Sequence, residues 1–172
     1  MKTNNRVMFG LGALVCVALL CFAYYLQYVQ NLQPCPLCMV QRVFFYLVFA
    51  VFALGAVHAP RGRLGAGLYA AFIVFFAAGG AATAARQVWL QHLPADKVPA
   101  CGPDLLFMLE NFPLARTLEK VFYGSGECAA VDWKFLGLSI AGWSLVWFVI
   151  LGGYALWLAL RTSRTAAAAA SP

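Results

Sequence analysis

The stretch CPLCMVQRVFFYLVFAVFALGAV, residues 35–57, decides the fold of this chain. After its two cysteines it carries one charged residue, Arg42, and residues 43–57 carry none. A helix needs about 20 mostly apolar residues to cross a bilayer. Residues 39–57 come close to that length, and we predict that they form a transmembrane helix.

Three further stretches have the same character, at about residues 7–27, 64–85 and 135–160. None contains an acidic residue, and an ionised side chain at mid-membrane costs roughly 2.5–3.5 kcal/mol. Only 10% of the chain is charged and 63% is hydrophobic, whereas soluble domains carry about 25% charged residues. The first stretch is longer than the apolar region of a signal peptide, so we expect a retained helix. The sequence predicts an all-α membrane protein, a four-transmembrane-helix bundle forming a single membrane domain over residues 1–172.

The distribution of charge predicts the orientation of the bundle. Basic residues without acidic neighbours flank the spans at one side: Lys2, Arg6, Arg61, Arg63, Arg161 and Arg164. All six acidic residues lie in the long loop of residues 86–134. The positive-inside rule then places both termini in the cytoplasm, and the loops of about 28–38 and 86–134 outside. The net charge of +6 therefore reflects topology, and we expect no nucleic-acid partner.

One segment of the long loop has a helical pattern. Its apolar residues recur at helical spacing, at Leu114, Leu118, Val121 and Phe122. Its polar face carries Arg116, Thr117, Glu119 and Lys120, and Gly124 is a plausible stop. The loop is too short to build a soluble core. We therefore expect a short amphipathic helix lying on the membrane surface with its apolar face down.

The outward-facing loops contain two pairs of cysteines. Cys35 and Cys38 form a C-x-x-C motif at the start of the second span, where the helix N-terminus stabilises a thiolate. Cys101 and Cys128 lie in Pro- and Gly-rich surroundings. A flexible pair and an anchored pair on one side of the membrane favour thiol–disulfide exchange between them. Simple structural disulfides and a zinc site remain as alternatives.

Three other residues bear on this chemistry. Arg42 follows Cys38 by four residues and so lies on the same helical face, one turn deeper. There it can lower the pKa of the thiol or donate to an oxygen of a bound acceptor, although an interfacial arginine is the alternative. Cys16 and Cys21 lie inside the first span, and we expect both to be buried apolar residues.

The motif Cys35-Pro36-Leu37-Cys38-Met39-Val40-Gln41-Arg42 closely resembles the signature of the disulfide bond formation protein B (DsbB) family. The resemblance covers nearly the whole chain and includes Gly126-Glu127-Cys128 followed by Trp133 and the residues 135–137. It implies a protein-dithiol:quinone oxidoreductase of the bacterial inner membrane, with both cysteine pairs in the periplasm. In that family, electrons pass from a periplasmic thiol oxidase (DsbA-like) through the two pairs to a quinone.

By position, the resemblance assigns a role to each site residue. Cys101 would form the mixed disulfide with the DsbA-like partner, and Cys128 would relay to Cys35. Cys38 would contact ubiquinone or menaquinone, with Arg42 beside it. Arg86 and Gln87 occupy the place where some family members carry a quinone-binding histidine. No metal is expected.

Two other functions remain to be weighed. A reductase of the vitamin K epoxide reductase kind is also a membrane helix bundle, but its C-x-x-C would come late in the chain, whereas here it opens the second span. A structural envelope protein with two disulfide staples is the non-enzymatic alternative. Catalytic pairs exchange readily with mild reductants, and staples resist them.

Overall fold

The computed structural model describes residues 2–60, 62–99, 107, 110–124, 126–131 and 133–170. The elements follow in the order helix α1 (Lys2–Tyr28), α2 (Pro36–His58), α3 (Arg63–Gln91), a 3₁₀ turn (Ala95–Lys97), α4 (Leu114–Tyr123), α5 (Gly126–Ala129), strands β1 (Lys134–Phe135) and β2 (Leu138–Ser139), and helix α6 (Ile140–Ala170). Cys101 lies outside the described residues.

Four of these helices are long and apolar enough to cross a membrane, over Asn5–Tyr28, Pro36–His58, Arg63–Gln91 and Ile140–Ser163. They pack in chain order, α1 on α2, α2 on α3 and α3 on α6. The predicted helical membrane bundle is confirmed. The third helix is longer than predicted, because its helical backbone continues past residue 85 to Gln91.

The predicted start of the fourth span, at residue 135, is wrong. Residues 134–139 instead form a two-stranded antiparallel hairpin, in which Lys134 pairs with Ser139 and Phe135 with Leu138. Its turn residues, Leu136 and Gly137, both have positive φ, which a helix does not allow. The apolar residues of this hairpin are exposed and are not helical. The prediction included them in the span because their composition is apolar.

The middle of the bundle is packed by aromatic rings set against small residues. The rings of Phe45 and Phe148 stack with centroids 4.0 Å apart. A Cβ atom on Gly80 would lie 2.3 Å from the Phe148 ring, so only glycine lets α3 approach α6 this closely. Cys16 is fully buried in this core, as predicted, but Cys21 is exposed on the outer face of α1. The prediction for Cys21 is wrong because five residues turn it well away from Cys16 around the helix.

The predicted amphipathic helix α4 is present, and it ends, as predicted, at Gly124, which has φ of 86°. Its faces differ in part from the prediction. Thr117, assigned to the polar face, is buried, and so is Val121. Val121 packs on protein with Cys35 and Cys128 instead of facing a membrane surface, because the loop folds back over the end of the bundle. The side chains of Leu114 and Phe122 remain exposed.

Candidate active site

The C-x-x-C motif lies where helix α2 begins. Cys35 is the N-cap, with an extended backbone, and its Sγ accepts a hydrogen bond from the backbone N–H of Cys38 at 3.4 Å. Pro36 lies in the first turn of the helix, where a backbone N–H has no acceptor within the helix, so its absence costs little. The Cys35 thiol donates to Cys38 Sγ across 2.9 Å. The local sequence therefore places both sulfurs at the positive end of the helix dipole.

Cys128 belongs to the same site. It is fully buried in the short helix α5 and packs in one cluster with Cys35, Leu37, Leu90 and Val121. Its thiol lies close enough to that of Cys35 to affect the ionisation of Cys35. This contact, together with Cys38 and burial, raises the pKa of the Cys35 thiol above its usual range. Three of the four predicted cysteines thus meet at one end of the bundle.

Helix α3 binds the loop that carries Cys128 through hydrogen bonds from Arg86. Arg86 donates to the carbonyl oxygens of Phe122 and Tyr123, at 3.4 and 3.0 Å, and its guanidinium stacks over Trp89. These carbonyls lie at the C-terminus of α4, where a cation is favourable. Gly124 then turns the chain over Leu90, with a backbone that a residue with a side chain rarely adopts. Arg86 therefore holds the end of α4, and its recorded contacts are with α4 and Trp89.

Gln87, the neighbour of Arg86, points into the site. Its side chain is buried, and Nε2 lies 3.2 Å from both Cys35 Sγ and Cys38 Sγ. Its Oε1 accepts a hydrogen bond of 2.7 Å from Nε2 of Gln41, which is also buried. Gln41 was not among the predicted site residues. Its signal in the sequence was a polar amide in the apolar stretch that follows Cys38.

A cavity of about 360 Å³ opens beside the sulfurs between helices α1, α2, α3 and α6. Its wall is mostly apolar and aromatic, and its polar lining includes Cys35, Cys38, Gln41, Arg42 and Gln87. Cavities of this size, with an apolar wall and a few polar groups, are typical of sites for small organic molecules. The described residues that line it do not include Arg86.

Arg42 lies on the cavity wall, half-buried. Its guanidinium donates to Gln27 Oε1 and to the carbonyl oxygen of Ala23, and it stacks over the ring of Tyr24. The hydrogen bonds recorded for Arg42 run to helix α1 rather than to Cys38. These contacts fix a planar cation at the cavity. That Arg42 lowers the pKa of the Cys38 thiol stays a prediction.

The arrangement suits exchange of disulfides at a membrane. Cys35 Sγ lies 2.9 Å from Cys38 Sγ, and Cys128 is buried in the same cluster, so one sulfur can reach the next without a large movement of the chain. Within the described ranges, we find no group of three or more His, Cys, Asp or Glu side chains arranged to hold a metal ion.

Comparison with known proteins agrees with this chemistry. The family described as "Disulfide bond formation protein DsbB" matches residues 5–158. A disulfide bond formation protein B of Nitrosococcus oceani is 50% identical over 94% of this chain and 95% of its own length. Another, from Hahella chejuensis, is 52% identical over 90% of this chain and 92% of its own. The chain belongs to the DsbB family of membrane proteins that form disulfide bonds.

Proposed function

We propose that this protein reoxidises a DsbA-like thiol oxidase in the periplasm and passes the electrons through its two cysteine pairs to ubiquinone or menaquinone. The observation that carries the proposal is the burial of Cys128, from the loop, in one cluster with Cys35, from the anchored C-x-x-C. A cysteine of each pair is thereby in place for exchange with the other. Two independent structural staples would not need this contact.

The proposed relay is a series of exchanges in which each disulfide bond that breaks is replaced by another. The dithiol of the partner reduces the Cys101–Cys128 disulfide through a mixed disulfide at Cys101. The Cys128 thiolate then attacks Cys35 Sγ, which breaks the Cys35–Cys38 bond and leaves the electron pair on Cys38. Cys101 attacks Cys128 in turn and releases Cys35. The loop pair is oxidised again, and the C-x-x-C now holds two electrons.

The environment of Cys35 fits the role of the sulfur under attack. Its raised pKa keeps the proton on Cys35, so the thiol donates to Cys38 and the negative charge in the reduced pair resides on Cys38. Both sulfurs line the cavity beside Gln87, and Cys38 is the one that holds the electron pair once Cys128 has attacked Cys35. In the proposed relay, electrons therefore reach the C-x-x-C at Cys35 and leave it from Cys38.

The cavity fits a quinone head group. A quinone ring is flat and apolar with two carbonyl oxygens, and it supplies a two-electron, two-proton oxidant when bound. Trp143 and Trp147 offer aromatic faces on the cavity wall, and Arg42 offers N–H donors. We propose that Arg42 and Cys38 contact the quinone and that Gln87 is close to both. Arg86, held at the end of α4, serves the site by anchoring the loop.

The charges support a bacterial inner-membrane location with the cysteine pairs in the periplasm. Arg6 donates to the carbonyl oxygens of Ala56 and Val57, at the opposite end of α2 from Cys35. The basic termini and the cysteines thus lie at opposite ends of the bundle. The positive-inside rule then puts the termini in the cytoplasm and the cysteines outside.

A reconstitution tests the proposal. Purified protein would be mixed with reduced DsbA-like oxidase and a soluble quinone, and quinone reduction would be followed by ultraviolet absorbance. We expect one quinone reduced for each partner disulfide formed. A matched control is the Cys16→Ala/Cys21→Ala double variant, which should behave as the unmodified protein. Partner oxidation that continues at full rate without quinone and without oxygen would contradict the proposal.

A further inference from the structure

The amide of Gln87 is the polar group nearest to both sulfurs of the C-x-x-C. Its Nε2 donates to Cys35 Sγ and to Cys38 Sγ, each at 3.2 Å. One NH₂ group is thereby within hydrogen-bond distance of both sulfurs, and Oε1 of the same amide lies 3.4 Å from Cys38 Sγ. A buried donor directed at a thiolate stabilises the charged form, because surrounding water is not there to do so.

An amide side chain can also face the sulfurs the other way round. Turned over, Gln87 would present Oε1 to the sulfurs, and a carbonyl oxygen repels a thiolate. Cys35 already donates its hydrogen to Cys38, so an ionised pair offers the amide only acceptors. A protonated Cys38, by contrast, can donate to Gln87 Oε1, which lies 3.4 Å from its Sγ, so the neutral pair accepts either orientation. A donor on the other side of Gln87 would favour the NH₂ orientation before the pair ionises.

Gln41 lies there. Its Nε2 donates to Gln87 Oε1 at 2.7 Å, and both amides are buried. The bond joins α2 to α3 one turn into α2 from Cys38, so Gln41 is carried by the same helix as the cysteines it serves. Gln87 Oε1 also lies 3.4 Å from Cys38 Sγ, but its shortest hydrogen bond is the one from Gln41. This bond favours the orientation in which the NH₂ group, at 3.2 Å, is the closer end of the amide to the sulfurs.

We propose that Gln41 is a positioning residue of the Cys35–Cys38 pair that acts through Gln87 and raises the reduction potential of the pair. The inference rests on the proposed function, because it assigns Cys35–Cys38 as a working redox couple. The two amides stabilise the reduced pair, in which Cys38 carries charge, more than the disulfide, which is a weak acceptor. They make the pair a better oxidant of the loop cysteines.

The test measures the equilibrium of the pair with glutathione. The full-length protein would be equilibrated in glutathione buffers of graded potential, alkylated, and analysed by mass spectrometry for the peptide carrying Cys35 and Cys38. This readout needs neither quinone nor partner, so it can fail while quinone reduction succeeds, and the reverse. Gln41→Met keeps the length of the side chain and removes the donor.

We expect Gln41→Met to lower the equilibrium constant for reduction about tenfold, which corresponds to about 30 mV for a two-electron couple. Gln87→Met should lower it by at least as much. If Gln41 acts through Gln87, adding Gln41→Met to Gln87→Met should change nothing further. Thr83→Val, which removes a buried hydroxyl one turn earlier on α3, should leave the potential unchanged.

Three results would overturn the proposal. One is an unchanged potential in Gln41→Met, and another is a full Gln41→Met effect that persists in the Gln87→Met background. The third concerns packing. Gln41→Leu also lacks the donor but has a different shape, so it should shift the potential as Gln41→Met does. Clearly different shifts in the two variants would show that shape, and not the hydrogen bond, sets the potential.

Discussion

The middle of the bundle and its cysteine end are built on opposite principles. In the middle, buried rings such as Phe52 and Phe148 fit against glycines, and the space between the helices is filled. At the cysteine end, two buried glutamines and the two cysteines of the C-x-x-C line a cavity of about 360 Å³. Burying amides in apolar surroundings is unfavourable unless each finds a partner. Here their partners are each other and the sulfurs.

This contrast separates what folds the protein from what makes it react. A change in the middle should alter the stability of the bundle and leave the chemistry of the sulfurs in place. A change at the cysteine end should alter electron transfer and leave the bundle folded. Each prediction below tests one side of this division, beginning with the largest expected effect.

The largest effect is expected from the four relay cysteines. Cys35→Ser, Cys38→Ser, Cys101→Ser and Cys128→Ser should each abolish steady-state turnover, because every sulfur takes part in a transfer of the proposed relay. Quinone reduction with the reduced partner would measure it. Full activity of a Cys101→Ser/Cys128→Ser double variant with the protein partner would rule out a two-pair relay.

Arg42 should have the next largest effect. A charge-assisted hydrogen bond contributes roughly 1.5–3 kcal/mol, so Arg42→Ala should reduce kcat/KM for quinone by about ten- to a hundredfold. Arg42→Lys keeps the charge but loses the planar group that bonds Gln27 and stacks on Tyr24, so its loss should be smaller. Steady-state kinetics at varied quinone would show a raised KM in both variants.

Transfer from the partner to Cys101 is the internal control, because this step does not involve Arg42. Single-turnover oxidation of the partner by the preloaded disulfide should keep its normal rate in Arg42→Ala. If that step slowed while KM for quinone stayed unchanged, Arg42 would be a folding or docking residue.

A substitution in the middle of the bundle should affect stability instead. Gly80→Ala places a methyl group against the Phe148 ring, and overpacking of this kind costs typically about 1–3 kcal/mol. Gly153→Ala is the matched control, since nothing lies within 4 Å of its added Cβ. Thermal unfolding in detergent should show a lower transition temperature for Gly80→Ala alone. Equal transition temperatures would show that this helix contact is looser than described.

Helix α4 should give a smaller effect on activity. Val121 is buried with Cys35 and Cys128, so Val121→Asp should shift the loop and slow transfer from Cys128 to Cys35 several-fold. Leu114→Asp changes an exposed position of the same helix and should leave this step unchanged. Rapid-mixing kinetics of the loop pair would compare them. A larger loss in Leu114→Asp would favour a helix anchored mainly by the membrane.

Much of the fold could be predicted because a helix that crosses the bilayer must be a long, mostly apolar stretch of sequence. Long apolar stretches and the lack of acidic residues predicted the four helices, and helical spacing predicted α4 with its stop at Gly124. The hairpin at residues 134–139 was missed, since its apolar residues resemble a helix by composition and its turn depends on backbone angles at Leu136 and Gly137.

The site was predictable where its chemistry is local. The C-x-x-C and its helix start are encoded within four residues, and Arg42 follows on the same helix. Gln41 was missed because its meaning depends on Gln87, which is far away in the sequence and adjacent in space. The sequence did not show which of Arg86 and Gln87 lies at the sulfurs. The two residues are adjacent on α3 and point in different directions, Arg86 to the end of α4 and Gln87 to the cysteines.

The central claim is that Cys128 exchanges directly with Cys35. It can be tested in a Cys38→Ser/Cys101→Ser variant, in which each pair keeps one thiol. After mild oxidation and proteolysis, mass spectrometry would identify the disulfide that forms. Our account predicts a Cys35–Cys128 bond within one chain, formed in high yield. Thiols that both stay reduced, or that join only between two molecules, would contradict it.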